Sequence, residues 1–102
     1  LVGLIRKTLD RLPEKVYVTF DVDGLEPALC PGTGTPVPGG LSWGETGLWL
    51  EELAKSGRRI VGLDLVEVAP GAADPQGLDS WDAIVGARLL YRLIGCALAT
   101  RR

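Results

Sequence analysis

Phe20-Asp21-Val22-Asp23-Gly24-Leu25-Glu26-Pro27 decides how this 102-residue chain is read. It leaves an apolar run, sets two carboxylates one residue apart, and enters a Pro/Gly-rich segment that continues to Gly40. The run itself, Val16-Tyr17-Val18-Thr19-Phe20, is short, β-branched and aromatic. That pattern predicts a strand buried on both faces between helix layers, with Asp21 at its carboxyl end. From Val22 to Leu41 there is no periodicity, and Pro27, Pro31, Pro36 and Pro38 are interspersed with Gly24, Gly32, Gly34, Gly39 and Gly40. A loop of this length in a compact domain is functional or disordered, and the prolines favour a fixed path.

Working outward, Leu1, Leu4, Ile5, Thr8, Leu9 and Leu12 recur at helical spacing with Arg6, Lys7, Asp10 and Arg11 on the other side. This predicts an amphipathic helix that ends before Pro13. Downstream, Ser42 and Glu45 form a capping box that opens a helix to about Ser56. Thr46, Trp49, Leu50, Leu53 and Ala54 make its buried face, Glu51 and Lys55 an exposed pair, and Gly57 its stop. Arg59 starts a second strand, Ile60-Val61-Gly62-Leu63-Asp64-Leu65-Val66, which delivers Glu67 at its carboxyl end before Val68-Ala69-Pro70-Gly71 breaks it. Two strands joined through a helix are expected to be parallel, with a right-handed crossover. After a loop over 71–78, Asp79 or Ser80 caps a last helix to about Leu98. Its expected inward stripe is Ile84, Ala87, Tyr91, Ile94 and Leu98, with Arg88 and Arg92 outward.

The order α-β-α-β-α defines an α/β chain without internal repeats, read as a single partial domain over residues 1–102. Two strands do not make a sheet covered on both faces, so further strands are expected in a longer protein. Two absences agree: the chain contains no Met, and it opens on Leu1 inside the first helix. Eleven Lys and Arg against thirteen Asp and Glu give a net charge of -2 with no basic stripe, which argues against a nucleic-acid partner. No apolar run has bilayer length and no signal-peptide pattern is present, so no membrane partner and a cytoplasmic location are expected. Cys30 and Cys96 match neither a zinc spacing nor a disulfide framework and are expected as free thiols.

In open parallel sheets ligands bind outside the carboxyl ends of the strands, a rule that selects Asp21, Asp23 and Glu67. In extended backbone Asp21 and Asp23 project to the same side. Close carboxylates repel unless a proton or cation lies between them, and oxygen-only ligands point to Mg, Ca or Mn. The plainer reading is that Asp before Gly is ordinary turn chemistry and that Glu67 is a solvated strand-end carboxylate. Asp64, mid-strand, is expected to accept hydrogen bonds from loop amides or to support the site without being a ligand. Gly32-Thr33-Gly34-Thr35 lacks the Lys-Ser/Thr of a P-loop, and Trp43, Trp49 and Trp81 read as packing residues.

Thr19-Phe20-Asp21-Val22-Asp23-Gly24-Leu25-Glu26-Pro27, then Pro31-Gly32-Thr33-Gly34-Thr35-Pro36, Gly39-Gly40-Leu41 and Val66-Glu67-Val68-Ala69-Pro70, together resemble the ureohydrolase family, which includes arginases and agmatinases. Thr19 stands where many members have Ser, and Glu26 where many have Asp. The resemblance implies the C-terminal portion of a three-layer α/β/α fold with a mainly parallel sheet. It also implies a dinuclear Mn hydrolase that cleaves a small guanidino substrate to urea and an amine, and a homo-oligomer, trimer or hexamer, at full length. By position, Asp21 would bridge two Mn ions, Asp23 would complete one of them, Glu67 would hold the guanidinium, and Thr35 would lie near the substrate.

The family's remaining metal ligands, two His and two Asp, and a proton-shuttling His come from upstream blocks, whereas this chain contains no His. Taken alone, the 102 residues are therefore expected to be inactive. Gly32 and Ala69 look more like agmatinase-type members than arginases, which makes agmatine the expected substrate, with arginine, guanidinobutyrate and other guanidino compounds behind it. The competing reading is a non-catalytic assembly module of the same fold.

Overall fold

The computed structural model describes residues 1–69 and 80–101. Its elements run in the order α1 (Val2–Leu9), β1 (Lys15–Asp21), a 3₁₀ turn (Val22–Gly24), α2 (Trp43–Lys55), β2 (Arg59–Val66) and α3 (Trp81–Ala99). β1 and β2 pair in parallel, as two strands joined through a helix must when they lie side by side. The register runs from Lys15 opposite Arg59 to Asp21 opposite Val66, with a shift between Val16 and Tyr17. The shift places one extra residue on β2, so Ile60 as well as Leu63 and Leu65 reaches the helix-covered side with Val16, Val18 and Phe20. The loop expected over 71–78 and the alternative cap Asp79 lie outside the described residues.

The helices cover one face of this pair. Near the carboxyl ends of the strands, Leu50 of α2 and Val85, Leu89 and Leu93 of α3 pack with Val22, Leu25 and Cys30. Near their amino ends, Ile5 and Leu9 of α1 meet Leu53, Ile60 and Cys96. The opposite face, with Tyr17 and Val61 each more than half exposed, is uncovered among the described residues. Within these residues the expected burial of β1 is met on one face only: exposed and half-buried residues alternate along the strand.

The local signals for α2 are all realised. Ser42 Oγ accepts the Glu45 N–H at 3.0 Å while Glu45 Oε1 accepts the Ser42 N–H at 2.9 Å, and the hydrogen bonding of Ser42 to the Glu45 carboxyl, its backbone N–H foremost, holds that carboxyl below its ordinary value. Gly57, at φ 82°, takes the left-handed position past the helix end. Arg58 donates to the Leu9 and Asp10 carbonyls, closing the end of α1 against β2.

α3 is rotated from the expected stripe. Val85, Gly86, Leu89, Leu93 and Cys96 are buried, whereas Ile84, Tyr91, Ile94 and Leu98 are exposed. Gly86 lets the helix approach Val68 at the end of β2, and the Arg92 guanidinium lies over Gly47 of α2 rather than pointing away. Ser80 caps the helix by accepting the Ala83 N–H. At the other end Thr100 Oγ1, fully buried, accepts the Ile60 N–H at 3.0 Å, which ties α3 to the start of β2.

Candidate functional site

β1 ends at Asp21, where the backbone tightens into the Val22–Gly24 turn. Asp21 Oδ1 accepts the Asp23 N–H at 2.8 Å, the turn chemistry anticipated for an Asp at a strand end. Val22 and Leu25, both 1% exposed, plug the turn into the core. The same-side argument for extended backbone therefore does not apply at Asp23; the two carboxylates are joined by a tight turn.

The long loop then folds back onto its own start. The Glu26 N–H donates to the Leu41 carbonyl at 2.9 Å and the Leu41 N–H to the Gly24 carbonyl at 2.8 Å, so both ends of the loop are clamped beside β1. Within it, the hydroxyls of Thr33 and Thr35 both meet the Asp23 carboxylate. Thr33, 6% exposed, also has its Oγ1 3.0 Å from the Glu67 carbonyl oxygen, so this one hydroxyl joins the ends of β1 and β2. Thr35, expected near a substrate, is exposed and bonded to Asp23. Sequence reasoning does not single out Thr33, because its spacing from Asp23 carries no local signal.

Glu67 occupies the left-handed region at φ 71°, the one non-glycine residue with positive φ among those described. Such a conformation costs about 1–3 kcal/mol for a residue with a Cβ and persists where the surroundings impose it. Here Thr33 holds the Glu67 carbonyl, and the carboxylate lies alongside Gly34 of the loop. Glu67 is exposed, as a solvated strand-end carboxylate would also be, but its backbone is not that of a relaxed turn.

Asp82, in the first turn of α3, is 5% exposed and accepts the Gly32 N–H at 2.8 Å through Oδ2. A Cβ at position 32 would lie 2.9 Å from the Ala69 carbonyl oxygen and 3.0 Å from Asp82 Oδ2, so a side chain there would force the loop or the Ala69 backbone to shift. Cys30, 1% exposed, is pushed up to about 11 by burial, with the Asp82 and Asp23 carboxylates adding to the shift. Such a thiol stays protonated and unreactive at neutral pH. Both cysteines are free, as expected. Asp64 accepts from Tyr17 Oη at 3.0 Å and Thr19 Oγ1 at 2.7 Å on the uncovered face, so its donors are strand hydroxyls and not loop amides. The bond to Asp64 raises the Tyr17 pKa.

Asp21 and Asp23 offer hard oxygen donors of the kind Mn takes. Among the described residues, however, no group of three or more His, Cys, Asp or Glu side chains converges as a metal site would require. The pair fits as part of an oxygen donor set and is not a centre by itself. No described helix is long and apolar enough to cross a membrane. A groove of about 890 Å³ runs along the exposed side of α3 between Leu29, Trp43, Trp81, Ile84 and Tyr91, apart from the carboxylates. Trp43 and Trp49 pack against the core as expected, whereas Trp81 is 56% exposed.

The family model described as "Arginase family" matches residues 1–95. The agmatinase of Chromobacterium violaceum is 52% identical over 69 residues, 68% of this chain and 20% of its own length. The guanidinopropionase of Pseudomonas aeruginosa is 44% identical over 85 residues, 81% of this chain and 24% of its own length. The crystal structure of the arginase from Bacillus subtilis superposes with a TM-score of 0.73 at 36% identity, covering 91% of this chain and 31% of that one. The chain thus spans about a fifth to a third of the proteins it resembles. The parallel strand pair with helices is part of their α/β fold. With the match running from the first helix almost to the end of the last, this chain belongs to the arginase family.

Proposed function

We propose that these residues form one wall of a ureohydrolase site within a longer protein, where a guanidino compound, agmatine foremost, is hydrolysed to urea and an amine. Asp21 and Asp23 would hold part of a two-Mn centre, whose bound ions supply Lewis-acid chemistry. The remaining ligands would come from other parts of the protein. The Glu67 carboxylate would pair with the substrate guanidinium through charge-assisted hydrogen bonds, and Thr35 would border the same space. The three family members named above act on different guanidino compounds by their names, so membership supports the reaction class. The ranking of agmatine first rests on Gly32 and Ala69, which the fold brings into contact.

The observation that carries this reading is the Thr33 hydroxyl, which reaches the Asp23 carboxylate and the Glu67 carbonyl at once. It joins the Asp23 carboxylate to the main chain of Glu67 at the carboxyl ends of adjacent parallel strands, where such sheets bind ligands, and this supports placing the two residues in one site. The test is urea release by the full-length parent protein loaded with Mn, offered agmatine, arginine and guanidinobutyrate. The expected result is turnover, with the highest kcat/KM for agmatine, and loss of both Mn retention and urea release in Asp23→Asn. Retained Mn without urea from any guanidino compound would overturn the catalytic reading in favour of an assembly module. Wild-type activity in Asp23→Asn would remove Asp23 from the site.

A further inference from the structure

Asp82 is a buried carboxylate that the proposed reaction does not use. Burying a charge is costly unless it is paired or hydrogen-bonded, and a first-turn helical acid ordinarily stays at the surface to complement the helix dipole. This one is 5% exposed and turned onto the loop, where it accepts the Gly32 N–H from fifty residues away in sequence. The next residue is Thr33, which joins Asp23 to Glu67, and two further on is Thr35, also on Asp23. The contact is tight, since a Cβ at Gly32 would crowd both Asp82 and the Ala69 carbonyl just beyond Glu67. α3 is itself anchored at its far end, where Thr100 takes the Ile60 N–H of β2. A helix of 19 residues, about 28 Å long, therefore braces the sheet at one end and the loop at the other.

We infer that Asp82 is a positioning residue: through the Gly32 N–H it sets Thr33 and Thr35 over the Asp23 carboxylate and thereby fixes the spacing of Asp23 and Glu67. The inference rests on the proposed ureohydrolase reading for its catalytic consequence, but the loop geometry it describes is measurable without activity. A charge-assisted bond from a loop N–H to a buried carboxylate is among the stronger single contacts a loop can have, and residues that orient metal-binding groups typically change affinity or activity by roughly 10–100-fold when removed.

The experiment uses the full-length parent protein as wild type, Asp82→Ala, Asp82→Asn and Gly32→Ala. Hydrogen exchange of the segment 29–36 is followed together with Mn affinity, kcat and KM. Asp82→Ala is expected to speed exchange in 29–36 by about tenfold or more and to weaken Mn binding and kcat by roughly 10–100-fold. Asp82→Asn keeps an acceptor of the same shape and should restore most of both. Gly32→Ala leaves the carboxylate in place but displaces the loop, and should reproduce the Asp82→Ala effect should that variant fail to fold. A folded Asp82→Ala or Gly32→Ala protein with wild-type exchange in 29–36 overturns the inference, whether or not the parent releases urea. Faster exchange with unchanged Mn affinity and kcat would also overturn it, reducing Asp82 to a loop anchor. If wild type releases no urea, the catalytic reading has failed separately, and exchange with Mn affinity still decides the role of Asp82.

Discussion

The Thr33 hydroxyl lies 3.0 Å from the Glu67 carbonyl oxygen and also meets the Asp23 carboxylate, so a single side chain spans the ends of two parallel strands. A hydroxyl carries one proton, which it donates to one acceptor at a time. Thr33→Val keeps the shape and removes the donor, leaving both acceptors without it. Destabilisation of about 0.5–1.5 kcal/mol is expected, the net worth of a typical hydrogen bond, since the acceptors left behind are only partly buried. Denaturant titration of the parent protein measures it. An unchanged midpoint would mean that water or another donor replaces the hydroxyl.

Glu67 sits at φ 71° and tests whether strain is kept for function. Glu67→Gly removes the Cβ that opposes this conformation and is expected to leave folding stability unchanged or raise it by up to about 1 kcal/mol. The same variant should lose substrate binding, whereas Glu67→Gln, which keeps the shape but not the charge, should raise KM by roughly 10–100-fold with the fold intact. Thermal melts and urea-release kinetics on the parent protein separate the two effects. Stability falling in Glu67→Gly while KM stays constant would assign Glu67 a structural role.

The limits of what a sequence can say about this fold follow from where the signals reside. The capping box at Ser42 and Glu45, the stop at Gly57 and the two β-branched runs are local signals, and each forms the element it predicts, although β1 is covered on one face only among the described residues. The inward face of α3 is not legible in the sequence because the helix is apolar on several sides: Ile84, Val85, Leu89, Leu90, Leu93, Ile94 and Leu98 satisfy more than one stripe. Gly86 and Cys96, small residues that allow close packing on Val68 and α2, decide which stripe faces inward. The carboxylates of the candidate site were legible from strand ends, but their fasteners were not. Thr33 and Asp82 act across 34 and 50 residues, and nothing within a local window distinguishes them from a loop threonine and a first-turn acid.

Arg6 donates to Glu52 at 2.8 Å, and this bond holds the Glu52 carboxyl below its ordinary value of 4.5. The sign is fixed by linkage: the unfolded chain takes up this proton at higher pH than the folded one. The contribution is fully present above about pH 4.5 and is lost as pH falls through the lower folded value. Melting curves of wild type and Glu52→Gln between pH 7 and pH 3 should therefore differ most near neutrality and converge in acid. A difference that stays constant across the range would deny the ion pair its role in joining α1 to α2.

Cys30 is buried and pushed up to about 11, and Cys96 is likewise raised by burial. Both thiols should resist iodoacetamide at pH 8 in the native parent protein and react once it is denatured, because the thiolate is the reactive form and neither side chain is accessible. Mass spectrometry counts the adducts. Native-state labelling of Cys30 would show that the loop opens beside Asp23 and would contradict its fixed path.

The 102 residues expressed by themselves provide the sharpest contrast with the parent. Asp21 and Asp23 are two carboxylates without a third convergent ligand among the described residues, and hard cations such as Mn need several oxygen or nitrogen donors to compete with water. The piece is expected to retain no stoichiometric Mn and to release no urea, whereas the proposed function expects both of the parent. It also exposes Leu4, Tyr17, Val61, Tyr91 and Leu98, and each strand lacks a neighbour on its outer edge among the described residues. Unpaired edges beside apolar surface promote association, so light scattering should show concentration-dependent assembly of the piece. Stoichiometric Mn and urea release from a monodisperse piece would refute the division of the site between this segment and the rest of the protein.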